Sequence, residues 1–457
     1  MRGLDYDNDN DNDKDPMLCR VHAAVGRSTS TNIAATTMTN PTTRLFLSLL
    51  AALLIAGCAS HPKLIPTPSV YETSAIPLFS DLPPKLQGDK VEVLYVTDRQ
   101  PERNDAGDLV GYGSERSMST ALGRAVVEID SSGDRASASS RPRIDLIEVD
   151  ALVRFPETPY LYRATDRGRI EIDDETVAQV RQARVRAREA ILSRLALTPK
   201  KDVFIHVHGV ATPFDKAVLD LASFWHFLGR EGVPIAYTWP AGSKGLLFYT
   251  VDRESGEFTV LHLKEFLRLL IAMPEVERIH ITAHSRGTDV VVTALRELII
   301  ETRAKGLDPR AHLRIENLVL AAADIDLQVD MQRIEGEAMT PAFGRVTLYI
   351  NERDQALAAA KNLFKSGQRL GSVDLSQLNE RQRELMRRAD NLDVIAYEGK
   401  GGGLFRHGYY EDPAVSADIL MLLRYGWAPG EGERQGLERL GENTWRIDPA
   451  HWDGETR

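Results

Sequence analysis

Cysteine is nearly missing from this chain: its 457 residues include two, Cys19 and Cys58. Two cysteines build no disulfide framework, and without a C-x-x-C pair or clustered Cys/His pattern the sequence offers no metal site and calls for no cofactor. An excess of positive charge is missing too. A formal net charge of −10 argues against a nucleic-acid-binding protein, which presents a basic face. No apolar run reaches the roughly 20 residues that span a bilayer; Leu45 to Ala56 is about a dozen. No internal repeat is visible. What remains, 43% hydrophobic and 27% charged, is the composition of a globular protein with ample core, in one large α/β domain or two smaller ones.

The N-terminus carries its own message. Asp5 to Asp15 is an acidic low-complexity run, expected to be disordered and unsuited to open an export signal, whose first segment should be basic. Met38 begins a better one: a polar head with Arg44, the apolar stretch, then Gly57-Cys58. Ile55-Ala56-Gly57-Cys58 resembles the lipobox of bacterial lipoproteins, whose cysteine is lipidated and becomes the new N-terminus. That resemblance implies that residues 1–37 are a mis-assigned start, that 38–57 are a signal peptide, and that Cys58 anchors the mature chain in a membrane. A stretch too short to span favours cleavage over a transmembrane anchor. Ala59 after the cysteine suits the outer membrane, and lipidation would occupy a lone thiol in an oxidising compartment.

Residues 58–88, with Pro62, Pro66, Pro68, Pro77, Pro83 and Pro84, read as an extended tether. Order begins at the β-rich run Val91 to Val96, followed by a loop with Gly107, Gly111 and Gly113 and strands at Arg124–Ile129 and Arg143–Val149. Asp174 to Leu197 reads as a solvated helix. Strands then alternate with helices: Asp202–Val207, Val233–Trp239, Arg278–Ala283, Leu318–Ala323, Val346–Ile350 and Val394–Tyr397 are the strands. A helix with apolar Phe214, Val218, Leu221, Trp225 and Leu228 follows the first of these, and Phe258–Ala272 reads as a helix further on. Near-continuous apolar strands separated by helices indicate an α/β fold, a mostly parallel central sheet with helices on both faces. Residues 356–390 read as a charged helical insertion, 89–428 as the domain, and 429–457 as a peripheral tail.

Ala283-His284-Ser285-Arg286-Gly287 lies between a strand and a helix with apolar Val291, Leu295 and Leu298. A serine there, with small residues two places either side, reads as a nucleophile elbow, because larger side chains would strike neighbouring backbone in so tight a turn. The hydroxyl then points outward and the Arg286 N–H is free to bind an oxyanion. His208-Gly209-Val210 ends an earlier strand and matches the oxyanion-hole loop of α/β-hydrolases, with Val210 N–H as the second donor. His206, two residues before, reads as a packed histidine.

Asp354 follows the strand Val346–Ile350 and could orient a general base. Asp324 and Asp326 end the preceding strand and are its rivals; either could instead cap a helix or line the pocket. His407, after the last strand and Gly401-Gly402-Gly403, stands where this fold carries its base. His262, His280, His312 and His451 lie in helix or strand patterns or in the tail and read as structural. The order Ser285, Asp354, His407 is that of α/β-hydrolases.

These stretches together resemble a bacterial α/β-hydrolase family of esterase/lipase superfamily type, long catalogued as a domain of unknown function. Val93-Leu94-Tyr95-Val96-Thr97-Asp98-Arg99, Tyr112-Gly113-Ser114-Glu115-Arg116, Ala121-Leu122-Gly123-Arg124-Ala125, Thr238-Trp239-Pro240, Ala323-Asp324-Ile325-Asp326 and His407-Gly408-Tyr409-Tyr410 carry the likeness along with the serine motif, over roughly residues 90–428. Ala283 stands where the family usually has glycine, and Arg286 where methionine is frequent. The resemblance implies a serine esterase acting on a small-molecule or lipid ester. A peptidase, thioesterase or acyltransferase on the same residues, or a non-catalytic envelope lipoprotein using the fold as a scaffold, are the alternatives.

Overall fold

In the computed structural model the described residues are 62–457, apart from 81, 131–140, 244, 246, 399–406, 449, 450 and 452–457. The export signal, the proposed lipidation site Cys58, Cys19 and the Gly401–Gly403 stretch lie outside them.

One sheet organises the chain. Along the sequence its strands are β1 (Lys90–Arg103), β2 (Leu109–Asp130), β3 (Arg143–Arg154), then, after the separate small hairpin β4 (Tyr162–Ala164) and β5 (Ile170–Ile172), β6 (Asp202–Val207), β7 (Val233–Thr238), β8 (Arg278–His284), β9 (Ile315–Ala321), β10 (Arg345–Ile350), β11 (Leu392–Ala396), β12 (Leu437–Arg439) and β13 (Thr444–Ile447). The order across it is β12-β13-β11-β10-β9-β8-β6-β7-β1-β2-β3, eleven strands among the described residues. From β13 to β1 every pairing is parallel; β1–β2, β2–β3 and β12–β13 are antiparallel. The central β6 and β7 are buried along their whole length, as continuous apolar strands covered on both faces must be.

The covering helices are α1 (Asp174–Leu195), α2 (Phe214–Phe227), α3 (Phe248–Ile271), α4 (Gly287–Ala304), α5 (Gln355–Phe364), α6 (Glu380–Arg388) and α7 (Pro413–Tyr425). Strand residues alternate between two cores. Ile205, Ile281, Leu320 and Leu348 pack with α1, α3 and α4; Phe204, Val319, Ala321 and Tyr349 pack with α2 and α7. The expected helix face Phe214, Val218, Leu221, Trp225 and Leu228 is buried throughout. This is the mostly parallel α/β-hydrolase sheet anticipated from the pattern.

Several boundaries differ from expectation. α3 starts ten residues before Phe258, through Ser255 and Gly256, weak helix formers that tertiary packing overrides. A Cβ on Gly256 would lie 3.3 Å from Val290 Cγ2, so glycine allows α3 and α4 a close approach. Second, Gly111 and Gly113 lie within β2, and the loop shrinks to a turn in which Asn104 Oδ1 accepts from Ala106 N–H at 3.0 Å and Asp108 N–H at 2.9 Å. Third, the described part of the expected tether is seated on the domain. Leu64 and Val70 are buried, Ile65 N–H donates to Ser223 Oγ at 2.8 Å and Arg424 Nη1 to Pro77 O at 3.2 Å. The outer surfaces of α2 and α7 are apolar and need this cover.

The expected peripheral tail is likewise integral. It supplies β12 and β13, and Arg434, fully buried, grips Asp418 of α7 through Nε at 2.8 Å and Nη2 at 3.1 Å. Tyr349 donates its hydroxyl to the same carboxylate.

Candidate active site

Ser285 occupies the turn between β8 and α4 with φ = +52°. A non-glycine residue held there stores roughly 1–3 kcal/mol of strain, and such strain persists where the surroundings over-determine it. Here Ser285 N–H donates to Ala321 O at 3.0 Å, and its carbonyl accepts from Thr288 N–H at 3.1 Å and Asp324 N–H at 3.3 Å. The small flanking residues have their expected reason. A Cβ on Gly287 would sit 2.3 Å from His208 O and 2.7 Å from Val207 O, while Ala283 is completely buried. Gly287→Ala should therefore cost about 1–3 kcal/mol, seen as a lowered urea midpoint at unchanged m-value.

Asp354 and His407 meet: His407 Nδ1 lies 2.6 Å from Asp354 Oδ2. Asp354 ends the turn after β10 and also caps α5, its Oδ1 accepting from Leu357 N–H at 3.0 Å. That second bond fixes the carboxylate, which is 1% exposed. His407 keeps a partly exposed ring. Its position beside the serine turn is set by His284, whose Nε2 donates to His407 O at 2.9 Å and whose ring centroid is 4.8 Å from that of His407. Among the described residues Ser285 Oγ makes no hydrogen bond to His407, and His407 Nε2 has no protein partner. Such contacts commonly tighten only when substrate is bound.

The loop after β6 closes the other side. A Cβ on Gly209 would fall 2.8 Å from Ser285 Cβ, so glycine lets this backbone abut the serine. Neither Val210 N–H nor Arg286 N–H donates to a protein acceptor among the described residues. Buried groups lock the loop in place. His208 Nδ1 donates to Gly209 O at 2.8 Å, and its Nε2 faces Arg99 Nη2 at 3.3 Å. The His208 ring stacks on Trp239, whose Nε1 donates to His208 O at 2.7 Å. Arg99 also donates to Thr212 O at 2.8 Å and Ala241 O at 2.6 Å. Burial lowers the Arg99 guanidinium to about 10 and holds His208 well below the usual histidine range, an effect Arg99 reinforces.

Sequence reasoning missed Asp252. This buried carboxylate of α3 accepts from Ala211 N–H at 2.8 Å, Gly242 N–H at 3.1 Å and Ser243 N–H at 3.1 Å, joining the loops after β6 and β7. No local motif marks it, because the partners come from other segments. Arg99 and Trp239 lay in stretches that resembled the family but had no role.

The rival aspartates do other work. Asp326 caps the short helix Leu327–Asp330. Asp324 is buried near the serine turn, but its carboxylate takes the Tyr249 hydroxyl and lies 3.3 Å from Arg369 Nε. The Arg286 side chain turns from the serine to Asp289 at 2.7 Å and Glu257 at 3.1 Å. Among rival histidines, His262 bridges Asp98 at 2.8 Å and Thr158 at 2.7 Å, and His280 receives Asn317 Nδ2 at 2.9 Å. His312 lies in the last turn of the short helix Pro309–Leu313, and His451 follows β13.

His206 is buried against Thr282 Oγ1 at 2.9 Å, and burial pushes it down to about 4. It stays neutral when folded, so the unfolded chain takes up the extra proton and stability is lost as pH falls below ~6.5. Relative to His206→Gln, the wild type should lose about 1.4 kcal/mol per pH unit between ~6.5 and ~5, measurable by urea unfolding at each pH.

Among the described residues no group of three or more His, Cys, Asp or Glu side chains could hold a metal ion, and no helix is long and apolar enough to cross a membrane. A family model described as alpha/beta hydrolase of unknown function (DUF900) matches residues 183–424. No curated protein matches the chain. Solved structures similar to it include an uncharacterized protein from Bacillus cereus (14% identity, 49% of this chain and 64% of that one, TM-score 0.27), under two thirds of whose length is spanned. Others are an esterase from Pyrococcus furiosus (16%, 43% and 72%, 0.26) and a predicted CIB-like hydrolase from Thermoplasma acidophilum (15%, 50% and 87%, 0.29).

Proposed function

The chain belongs to this family of alpha/beta hydrolases, and from that premise we propose that it is a serine hydrolase cleaving carboxylic esters, with Ser285, Asp354 and His407 as its triad. The observation that carries the proposal is the 2.6 Å contact between His407 Nδ1 and Asp354 Oδ2, beside a serine held at positive φ.

In the reaction, His407 Nε2 takes the Ser285 proton as Oγ attacks the ester carbonyl carbon. The resulting oxyanion accepts hydrogen bonds from Val210 and Arg286 N–H. Asp354 keeps the Nδ1–H tautomer and stabilises the imidazolium. His407 then returns the proton to the leaving alkoxide as the C–O bond breaks, leaving an acyl-serine. Water attacks this ester, giving its proton to His407, and the acid departs with Ser285 restored.

A panel of p-nitrophenyl esters of increasing acyl length tests this. Saturable turnover that Ser285→Ala abolishes is expected. Absence of turnover on every ester, with hydrolysis of thioesters or peptides instead, would assign the triad to another acyl substrate.

We also propose that Cys58 is lipidated and holds the enzyme at the outer membrane, on the strength of Ile55-Ala56-Gly57-Cys58. Cys58→Ser should then move the protein from the membrane fraction to the soluble one; retention at the membrane would refute the anchor.

A further inference from the structure

Away from Ser285, on the α4 side of β9, β10 and β11, the segments 327–343 and 370–386 cover a chamber of about 90 Å³. Its walls include Leu318, Leu348, Leu370, Val373, Met386 and Val394. At ~10–15 Å³ per water-sized group, it has room for about six to nine such groups. A chamber this apolar would stay dry, yet two acids, Asp330 and Glu335, line it.

Asp330 is 8% exposed, its carboxyl makes no hydrogen bond among the described residues, and Oδ1 is completely buried without a partner. Glu335 has Thr340 Oγ1 at 3.3 Å. The cation on the same turn, Arg333, is directed to Asp289 at 3.5 Å. The backbone explains why the acids share a side. Met331–Glu335 is a π-helical turn, with Gly336 N–H donating to Met331 O. In an α-helix, residues five apart point about 140° from each other; the wider π turn narrows that angle and brings them towards the same side, and such turns recur at functional sites.

We infer that the chamber is a binding site for a small amphiphilic amine, its ammonium between Asp330 and Glu335 and its short hydrocarbon tail against the leucines. An ammonium has three donors and no acceptor, which suits two carboxyl groups lacking a cation. Without it, burial pushes Asp330 up to about 8 and raises Glu335 as well, so the empty site favours a protonated Asp330. With it, one carboxylate, one carboxylic acid and one ammonium form a neutral set. This site is independent of the Ser285 chemistry.

Calorimetric titration of the whole chain with n-hexylammonium, hexan-1-ol and hexanoate tests the inference. Hexylammonium should bind at least tenfold more tightly than the alcohol or the carboxylate, and Asp330→Asn should weaken it at least tenfold. Comparable binding of all three probes, no binding of hexylammonium, or unchanged affinity in Asp330→Asn would overturn it. Asp330→Asn preserves shape and removes a buried acid, so it should fold. Should it not, Glu335→Gln supplies the same comparison, and the ranking of probes on wild type stands without either variant.

Discussion

Replacing His407 by alanine is expected to lower kcat/KM for ester hydrolysis by at least ~10³-fold, because triad members act as one unit and removing the base leaves the serine hydroxyl unactivated. The ring is held by Asp354 through Nδ1 and sits beside the serine turn through the His284 bond to its carbonyl. No other histidine described shares those contacts: His262 is engaged with Asp98 and Thr158, and His280 with Asn317. The double variant Ser285→Ala/His407→Ala should be little worse than either single variant. Initial rates with a p-nitrophenyl ester measure both; a loss below about tenfold would move the base elsewhere.

Asp354→Asn should cost ~10⁴-fold in kcat, since an amide in that place favours the wrong imidazole tautomer. Asp324→Asn provides the contrast. Its carboxylate faces Arg369, itself buried, and breaking a buried pair costs about 3–5 kcal/mol. That substitution should therefore lower the unfolding free energy by up to this amount and affect turnover mainly through the backbone contact of residue 324 with Ser285 O. Kinetics at pH 7.5 paired with urea unfolding separate the two. Equal kinetic losses in both variants would leave the acid unassigned.

The serine turn was legible in the sequence because its signature is local. Ala283 and Gly287 show as small residues two places either side of Ser285, although the backbone that keeps Gly287 small belongs to Val207 and His208, and the strand and helix around the serine have unmistakable periods. His208-Gly209-Val210 was legible for the same reason. The sequence favoured Asp354 as the acid by its place after a strand but kept Asp324 and Asp326 as rivals, since all three follow strand ends; the meeting of Asp354 and His407, 53 residues apart, is what separates them.

Asp252 was invisible because its acceptors join two loops, one of them at Ala211 on a different strand end, and its helix begins in a stretch rich in weak helix formers. Local composition misled for the described residues of 62–88: proline density suggests an extended tether, but the chain there forms helical turns at Val70–Thr73 and Pro84–Leu86, and Leu64, Ile65 and Val70 find apolar cover on α2 and α7. The tail from Pro429 looked peripheral because Gly and Glu dominate it. Its role rests on Arg434 and two short strands, whose partners Asp418 and β11 come from other segments.

Treatment of the intact protein with a fluorophosphonate, followed by mass mapping of its peptides, tests the central claim most directly. The account predicts one stoichiometric adduct on the peptide containing Ser285, lost in Ser285→Ala and slowed by orders of magnitude in His407→Ala. An unmodified Ser285 peptide, or an adduct on a different residue, would contradict it.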